Sequence, residues 1–212
     1  MRTSTVPGPC SPALQNSARI IVLIRHSAPE VDPSRPASEW SLSAEGVSLC
    51  EGLASELERF LPAVMFSSPE TKAMETAECI GLHLGIEYTV REELREHRRP
   101  SVFLPQSEFQ ENILSFFAAP DSIVYGSESS NEVATRIEAE VRHALTDHPA
   151  GNILMVTHGT AMTSFTSRYT NADAYSLWKS LDLPSFVAFG LPSFDIVDSV
   201  GTALDEASSH RP

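Results

Sequence analysis

Three short apolar runs, each followed at once by polar side chains, most constrain how this chain can fold. They cover residues 20–24, 63–66 and 152–157, and their apolar side chains do not alternate with polar ones. That pattern is typical of strands buried on both faces of a sheet. Between them lie segments with apolar residues at three- and four-residue steps, which predict amphipathic helices. The sequence therefore predicts an α/β fold, with a mostly parallel central sheet and helices on both faces.

The helices are predicted from these periodic segments and from residues that begin or end helices. Ser68 and Pro69 suit the start of one helix, and Gly85 suits its end. Ser129 and Glu132 match a capping box at the start of another. The apolar segments 186–191 and 194–197 are interpreted as edge strands that close the sheet. The predicted helices cover residues 43–61, 69–84, about 106–117 and the stretch after Ser129.

A chain of 212 residues predicts one main domain, here residues 19–198. Residues 1–18 and 199–212 lack periodicity and are rich in small polar residues, so we expect disordered tails. No run reaches the ~20 apolar residues of a membrane span. The first nineteen residues also lack the apolar core of a secretory signal. These features predict a soluble, cytoplasmic protein that does not contact membranes.

Charge and cysteine content exclude further classes. A net charge of −13 argues against nucleic acid as a partner, since phosphates would be repelled. The cysteines Cys10, Cys50 and Cys79 form no C-x-x-C pair, so we expect reduced thiols, with Cys50 and Cys79 packed on helix faces. The chain has no H-E-x-x-H spacing and no glycine-rich nucleotide motif, so neither a metal nor a cofactor is predicted.

Polar residues at the strand ends indicate where a ligand binds. Arg25 and His26 follow the first strand, Ser68 follows the second, and His158 and Gly159 follow the third. Ligands of such sheets bind beyond the carboxyl ends of the strands. Helix N-termini behind these residues favour an anion. The sequence therefore predicts an anion site at this edge.

These residue types suit phosphoryl transfer. A neutral imidazole can attack phosphorus, and a permanently charged arginine can bind two phosphoryl oxygens. His26 and His158 would supply one nucleophile and one donor. The proton for the departing alkoxide would come from the charged segment 91–99, which follows a predicted strand. A solvated surface whose acids and arginines pair with each other is the alternative interpretation of that segment.

Five motifs together resemble the histidine phosphatase superfamily, also called phosphoglycerate mutase-like. They occur in the family's order between about residue 20 and residue 165. The motifs are Arg25-His26, Leu42-Ser43-Ala44-Glu45-Gly46, Ser67-Ser68-Pro69 with Glu75-Thr76-Ala77, Leu94-Arg95-Glu96, and Val156-Thr157-His158-Gly159.

The resemblance implies a role for each matched residue. His26 would become the phosphohistidine, with Arg25 and His158 in the catalytic phosphate pocket. Glu96 would protonate the leaving group and then activate water. No metal or cofactor is implied. The implied phosphate-binding residues are Arg25, Ser27, Lys72, His158 and Gly159.

Three positions depart from the family pattern. Lys72 stands where the family usually has arginine; it keeps the charge but loses the bidentate fork, and an ordinary surface lysine is the alternative. Ser27 replaces a frequent glycine. Asp32 replaces an asparagine, so we expect the loop 29–36 to run differently, because an acid beside phosphate is unfavourable.

These departures and the compact segment 94–105 favour a hydrolase over a mutase. The sequence predicts a metal-independent phosphatase whose partner is a small phosphorylated metabolite, with phosphoprotein as the other substrate class. A phosphoglycerate-type mutase and a low-activity phosphate-binding regulatory module are the alternative functions. Arg95, Arg98 and Arg99 would either recognise further negative charge on the substrate or pair with nearby acids.

Overall fold

The protein is described from a computed structural model that covers residues 19–100 and 102–204. The strands in this part are β1 Ile20–Arg25, β2 Pro62–Ser67, β3 Tyr88–Val90, β4 Asn152–Thr157, β5 Ser185–Gly190 and β6 Asp195–Val200. The α-helices are α1 Ala44–Leu57, α2 Thr71–Leu84, α3 Gln106–Ala118, α4 Ser130–Asp147, α5 Gly159–Thr166 and α6 Ala174–Ser180.

The strands form one sheet in the order β3-β2-β4-β1-β5-β6. Strands β3, β2, β4 and β1 pair in parallel, whereas β5 pairs antiparallel with both β1 and β6. The predicted mostly parallel α/β sheet is confirmed. The prediction that residues 186–191 form an edge strand is wrong, because β5 lies between β1 and β6 and all of its residues are buried. The edge position belongs to β6.

Helices cover both faces of the sheet because successive apolar side chains of its central strands point to opposite sides. On one side, Val22 and Ile24 of β1 pack with apolar residues of α1 and α2. On the other, Ile21 and Leu23 pack with α3, α4, α5 and α6. A strand buried in this way needs an apolar residue at every position, which explains the runs in the sequence.

The residues that predicted where helices begin were correct for one helix and wrong for another. The capping box of Ser129 and Glu132 is present at the start of α4. Helix α2, however, begins at Thr71 with Glu70 as its N-cap, so the prediction that Ser68 caps it is wrong. The Ser68 side chain instead hydrogen-bonds to His158, 2.7 Å away.

The C-terminal boundary of the folded part lies beyond the predicted one. Strand β6 runs to Val200, and Leu204 is buried, so the chain packs past residue 198. Residues 1–18 and 205–212 lie outside the described part, so the rest of the two predicted tails stays a prediction. Cys50 is buried on α1 and Cys79 is half-buried on α2, and neither forms a disulfide. Within residues 19–100 and 102–204, no helix is long and apolar enough to cross a membrane.

Candidate active site

The carboxyl ends of three neighbouring strands bring two histidines together. The backbone N–H of His26 after β1 donates to the Thr157 carbonyl at 3.0 Å, and that of Ser68 after β2 donates to the Val156 carbonyl at 2.9 Å. The rings of His26 and His158 lie edge to face with centroids 5.1 Å apart. The strand order thus assembles residues separated by more than a hundred positions in the sequence.

His26 is held with one ring nitrogen free to react. Its Nδ1 lies 2.8 Å from the Ser27 carbonyl oxygen, which can only accept, so Nδ1 carries the proton. Nε2 therefore keeps its lone pair. Burial, together with the nearby His158, Lys72 and Arg25, lowers the pKa of His26 well below its usual value. The imidazole is neutral at neutral pH, which is the form a nucleophile requires.

His158 is fully buried as the N-cap of α5. Its Nε2 is 2.7 Å from the Ser68 hydroxyl, while its Nδ1 is buried and has no hydrogen-bond partner. Burial and the charge of Lys72 lower the pKa of His158 well below its usual value. Buried polar atoms nearly always have a hydrogen-bond partner, so we expect a ligand atom to bind the free Nδ1.

Arg25 also keeps a buried nitrogen unpaired. Its Nη1 donates to the Leu181 carbonyl at 2.6 Å, but its Nε has no partner. A Cβ atom at Gly159 would lie 3.1 Å from that Nε, so the glycine gives the guanidinium room beside the start of α5. Burial lowers the pKa of Arg25 to about 10, so the side chain remains charged at neutral pH.

Lys72 lies inside the site rather than on the surface. Its side chain is only 7% exposed, and its charge helps lower the pKa of both histidines. Its Nζ donates to the Ala37 carbonyl at 2.7 Å and to Glu70 Oε2 at 2.5 Å. The ammonium group is thereby fixed near His26, at a site where burial without a partner would be costly.

Glu70 is a site residue that the sequence analysis missed. Its other oxygen, Oε1, is 3.5 Å from His158 Nε2 and accepts a hydrogen bond from the Glu96 backbone N–H at 3.0 Å. Burial would raise the pKa of Glu70, but Lys72 and the Glu96 N–H outweigh it and lower the pKa. Its place directly after Pro69, at a strand end, was the signal that could have identified it.

Glu96 lies beside the N-terminus of α5. Its carboxylate accepts hydrogen bonds from the backbone N–H groups of His97 at 2.8 Å, Ala161 at 3.0 Å and Thr160 at 3.2 Å. Burial would raise the pKa of Glu96, yet Arg99, His158 and these N–H groups together lower it. The carboxylate is therefore ionised in the free protein.

Ser27 and Asp32 do not contribute to an anion site in this arrangement. The Ser27 hydroxyl donates to the Gly46 carbonyl at 2.7 Å, and its N–H donates to Thr76 Oγ1 at 3.0 Å. Both donors are occupied, so placing Ser27 among the phosphate-binding residues is corrected: it supports the backbone behind His26. Asp32 Oδ1 accepts from Ser34 in a surface turn.

A buried ion pair that sequence reasoning also missed holds the segment carrying Glu96. Arg136 of α4 donates to the Glu93 carbonyl at 2.6 Å and the Arg95 carbonyl at 3.1 Å, and it pairs with Glu128 at 2.7 Å. Glu128 in turn accepts from the Arg98 backbone N–H at 2.8 Å. An arginine among the apolar positions of α4 was the available signal.

Taken together, the site offers an uncharged imidazole nitrogen, two cations and an ionised carboxylate close together at the carboxyl ends of the strands. Among the described residues, no group of three or more His, Cys, Asp or Glu could hold a metal ion. The positive charges that an anion would meet are those of Arg25 and Lys72. This arrangement suits attack on a bound phosphoryl group.

Comparison with known proteins agrees with this geometry. The model of the histidine phosphatase superfamily, branch 1, matches residues 21–188. No curated protein sequence matches the chain.

Several solved structures share the fold at low sequence identity. A mycobacterial glucosyl-3-phosphoglycerate phosphatase solved with VO3 is 22% identical, with a TM-score of 0.68 over 84% of this chain and 96% of that one. A phosphoserine phosphatase mutant from Entamoeba histolytica is 14% identical, with a TM-score of 0.70 over 85% and 96%. A putative phosphohistidine phosphatase, SixA, from Agrobacterium tumefaciens is 14% identical, with a TM-score of 0.56 over 86% and 98%.

Proposed function

Because the chain belongs to branch 1 of the histidine phosphatase superfamily, we propose that it is a phosphatase that hydrolyses phosphomonoesters through a phosphohistidine on His26. The proposal assigns the phosphate-binding role to Arg25, Lys72, His158 and Gly159. It assigns proton transfer to Glu96. It requires no metal, since the chain's own cations neutralise the phosphoryl oxygens.

One observation carries the proposal. Beside the free Nε2 of His26 lie two buried nitrogens without hydrogen-bond partners, Arg25 Nε and His158 Nδ1. Leaving a buried donor unpaired costs about 1–3 kcal/mol each. In this proposal the Ser68 hydroxyl donates to His158 Nε2, so His158 Nδ1 carries the proton. Phosphoryl oxygens bound next to the nucleophile would then accept hydrogen bonds from both nitrogens.

The reaction takes two displacements at phosphorus. In the first, the His26 Nε2 lone pair forms the N–P bond as the bond to the ester oxygen breaks, and Glu96 gives that oxygen its proton. In the second, water attacks the phosphohistidine, Glu96 accepts a proton from it, and the N–P electron pair returns to Nε2. Phosphate leaves, and Glu96 releases this proton to solvent as it returns to the ionised form of the free protein.

The proton for the first step must arrive before or with the substrate, because Glu96 is ionised in the free protein. Phosphate monoesters lose their second proton near pH 6, so a monoanionic ester can bring one. A doubly charged ester brings no proton of its own. Once bound, its negative charge would instead raise the pKa of Glu96, so that Glu96 becomes protonated. Esters with poor leaving groups should therefore react faster at mildly acidic pH.

A small phosphorylated metabolite is the substrate class we favour. The structural neighbours include a glucosyl-3-phosphoglycerate phosphatase and a phosphoserine phosphatase, whose names refer to small phosphorylated compounds. The neighbour SixA, described as a putative phosphohistidine phosphatase, supports phosphoprotein as the second class. The low identities leave the individual compound to experiment.

Hydrolysis of p-nitrophenyl phosphate in excess chelator tests the proposal. The wild type should release nitrophenol, and His26→Ala should lose at least ~10³-fold in rate, because no other group can form the intermediate. His83→Ala, which removes an α2 histidine that only pairs with Glu58, is the matched control and should keep full activity. Chelator-sensitive activity, or activity retained in His26→Ala, would contradict the proposal. Phosphate transfer that needs a bisphosphorylated primer would identify a mutase instead.

A further inference from the structure

The three arginines close to Glu96 in the sequence have different surroundings. Arg95 Nη1 lies 2.7 Å from Glu92, so that guanidinium is already paired. Arg98 is about half exposed (47%) and lies 3.9 Å from Glu128. Arg99 is only 21% exposed, and its Nη1 is buried without a hydrogen-bond partner. Arg95 Nε is also buried without a hydrogen-bond partner, but two acids, Glu92 and Glu93, already pair with that guanidinium. Arg99 Nη1, in contrast, is free beside Glu96.

Arg99 lies beside Glu96, the proposed acid. Its Nη1 is 3.9 Å from Glu96 Oε2, and Glu96 is the group proposed to protonate the ester oxygen. A guanidinium this close to the acid is therefore within a few ångströms of the leaving group's first atoms. Its charge also lowers the pKa of Glu96, so the two groups interact electrostatically.

An aromatic cluster fixes the direction of Arg99. The guanidinium carbon lies 4.9 Å from the centre of the Phe109 ring, and the centres of the Phe109 and Trp178 rings lie 5.8 Å apart in an edge-to-face arrangement. Trp178 belongs to α6, and Leu181, directly after this helix, accepts the hydrogen bond from Arg25. Through Phe109 and Trp178, Arg99 is thus linked by packing to the segment whose Leu181 carbonyl binds Arg25.

We propose that Arg99, backed by Phe109, forms a leaving-group subsite that selects phosphomonoesters carrying a carboxylate on the alcohol part. The inference rests on the proposed phosphatase function. Once Glu96 holds the proton for the leaving group, Arg99 faces a neutral acid and lacks a counter-charge. A substrate carboxylate would supply that charge and pair with the free N–H groups, an interaction stronger than a neutral hydrogen bond.

Matched acid and amide substrates test the subsite. The probes are 3-phosphooxypropanoate and 4-phosphooxybutanoate, each compared with its primary amide, which has the same shape but no charge. The wild type should prefer the acids by about 10- to 100-fold in kcat/KM, as expected for a charge-assisted pair. In Arg99→Gln the ratio should fall to about one. Phe109→Leu should reduce it by about 2- to 5-fold.

Arg142→Gln is the matched control, because Arg142 also lies over a phenylalanine ring, Phe194 at 5.6 Å, on the surface of α4. It should leave the acid-to-amide ratio unchanged. Hydrolysis of p-nitrophenyl phosphate without any acid preference would overturn the subsite while leaving the phosphatase function intact. Equal losses on acid and amide in Arg99→Gln would also overturn it, since Arg99 would then act on the phosphate or on Glu96. Failure to hydrolyse any ester would contradict both proposals.

Discussion

At the scale of single residues, the chemistry depends on which ring nitrogen of each histidine is left free. His26 Nδ1 hydrogen-bonds to the Ser27 carbonyl and His158 Nε2 to the Ser68 hydroxyl, so the proposed reaction uses the other nitrogen of each ring. The sequence could place both histidines at strand ends, because a buried strand is visible as an apolar run. The place of Glu70 after Pro69 is visible in the sequence, but the ring nitrogens could not be assigned, because they depend on contacts such as that of Ser68 with His158 that only the fold makes.

Glu96→Gln should slow esters with poor leaving groups far more than esters with good ones. An alkoxide needs a proton as it departs, whereas p-nitrophenolate does not, so the loss should reach about 10²- to 10⁴-fold for an alkyl phosphate only. Steady-state rates on p-nitrophenyl phosphate and on an alkyl phosphate measure this. Equal losses on the two esters would assign the proton to another group.

Lys72→Met should weaken binding of inorganic phosphate by about 10- to 100-fold, as expected when a charged donor is lost. Isothermal titration calorimetry measures the affinity. Lys179→Met is the control, because the chain's only other lysine is exposed on α6. Unchanged affinity in Lys72→Met would show that Lys72 only neutralises Glu70. Lys72→Arg should keep the affinity, because the charge is retained.

At the scale of elements, the N-terminus of α1 supports the backbone that carries His26. A Cβ atom at Gly46 would lie only 2.1 Å from the Ala28 carbonyl oxygen. Only glycine at this position therefore lets the helix lie so close to the end of β1. At the same contact, the Gly46 carbonyl accepts a hydrogen bond from the Ser27 hydroxyl. The periodic pattern predicted α1 well, but this close approach has no signature in a single sequence.

Gly46→Ala should therefore destabilise the protein by more than about 2 kcal/mol, because rigid backbone would have to shift. Gly52→Ala in the same helix meets nothing within 4 Å and should stabilise it by roughly 0.5–1 kcal/mol through helix propensity. Urea unfolding of both variants measures the difference. A similar effect of the two substitutions would mean that the contact between α1 and the β1 end is not rigid.

Strands and helices were predictable where their apolar pattern is strong. The position of a strand in the sheet was less predictable, because it depends on tertiary pairing. Strands β1, β2 and β4 and the capping box of α4 follow from local residues. The interior position of β5 does not, because antiparallel pairing with β1 is a long-range choice. The sequence likewise shows an arginine among the apolar positions of α4, but only the fold shows that this residue, Arg136, holds the Glu96 segment.

At the scale of the whole molecule, buried histidines make stability depend on pH. Burial is the first cause of the lowered pKa of His26, His158 and His97, so each is neutral when folded. The unfolded chain takes up these protons as the pH falls below about 6.5, so the free energy of unfolding must fall there too. Each histidine contributes a slope of up to about 1.4 kcal/mol per pH unit.

Urea unfolding between pH 8 and pH 5 should show this loss of stability below about pH 6.5. His97→Phe should make the slope less steep by about one histidine's share, because His97 packs on Phe116 and makes no hydrogen bond through its ring. His143→Phe, which replaces an exposed histidine of α4, should leave the slope nearly unchanged. A stability that stays flat down to pH 5 in the wild type would contradict the assignment of these histidines as neutral.

Detection of the phosphoryl group on His26 tests the central claim most directly. Protein quenched in alkali within milliseconds of mixing with a phosphomonoester should carry one phosphate on His26, identified by peptide mass spectrometry. The label should be stable to alkali and labile to acid, as expected for a phosphoramidate, and it should disappear on chase with unlabelled ester. It should be absent from His26→Ala. Turnover without this label, or a label on another residue, would contradict the account.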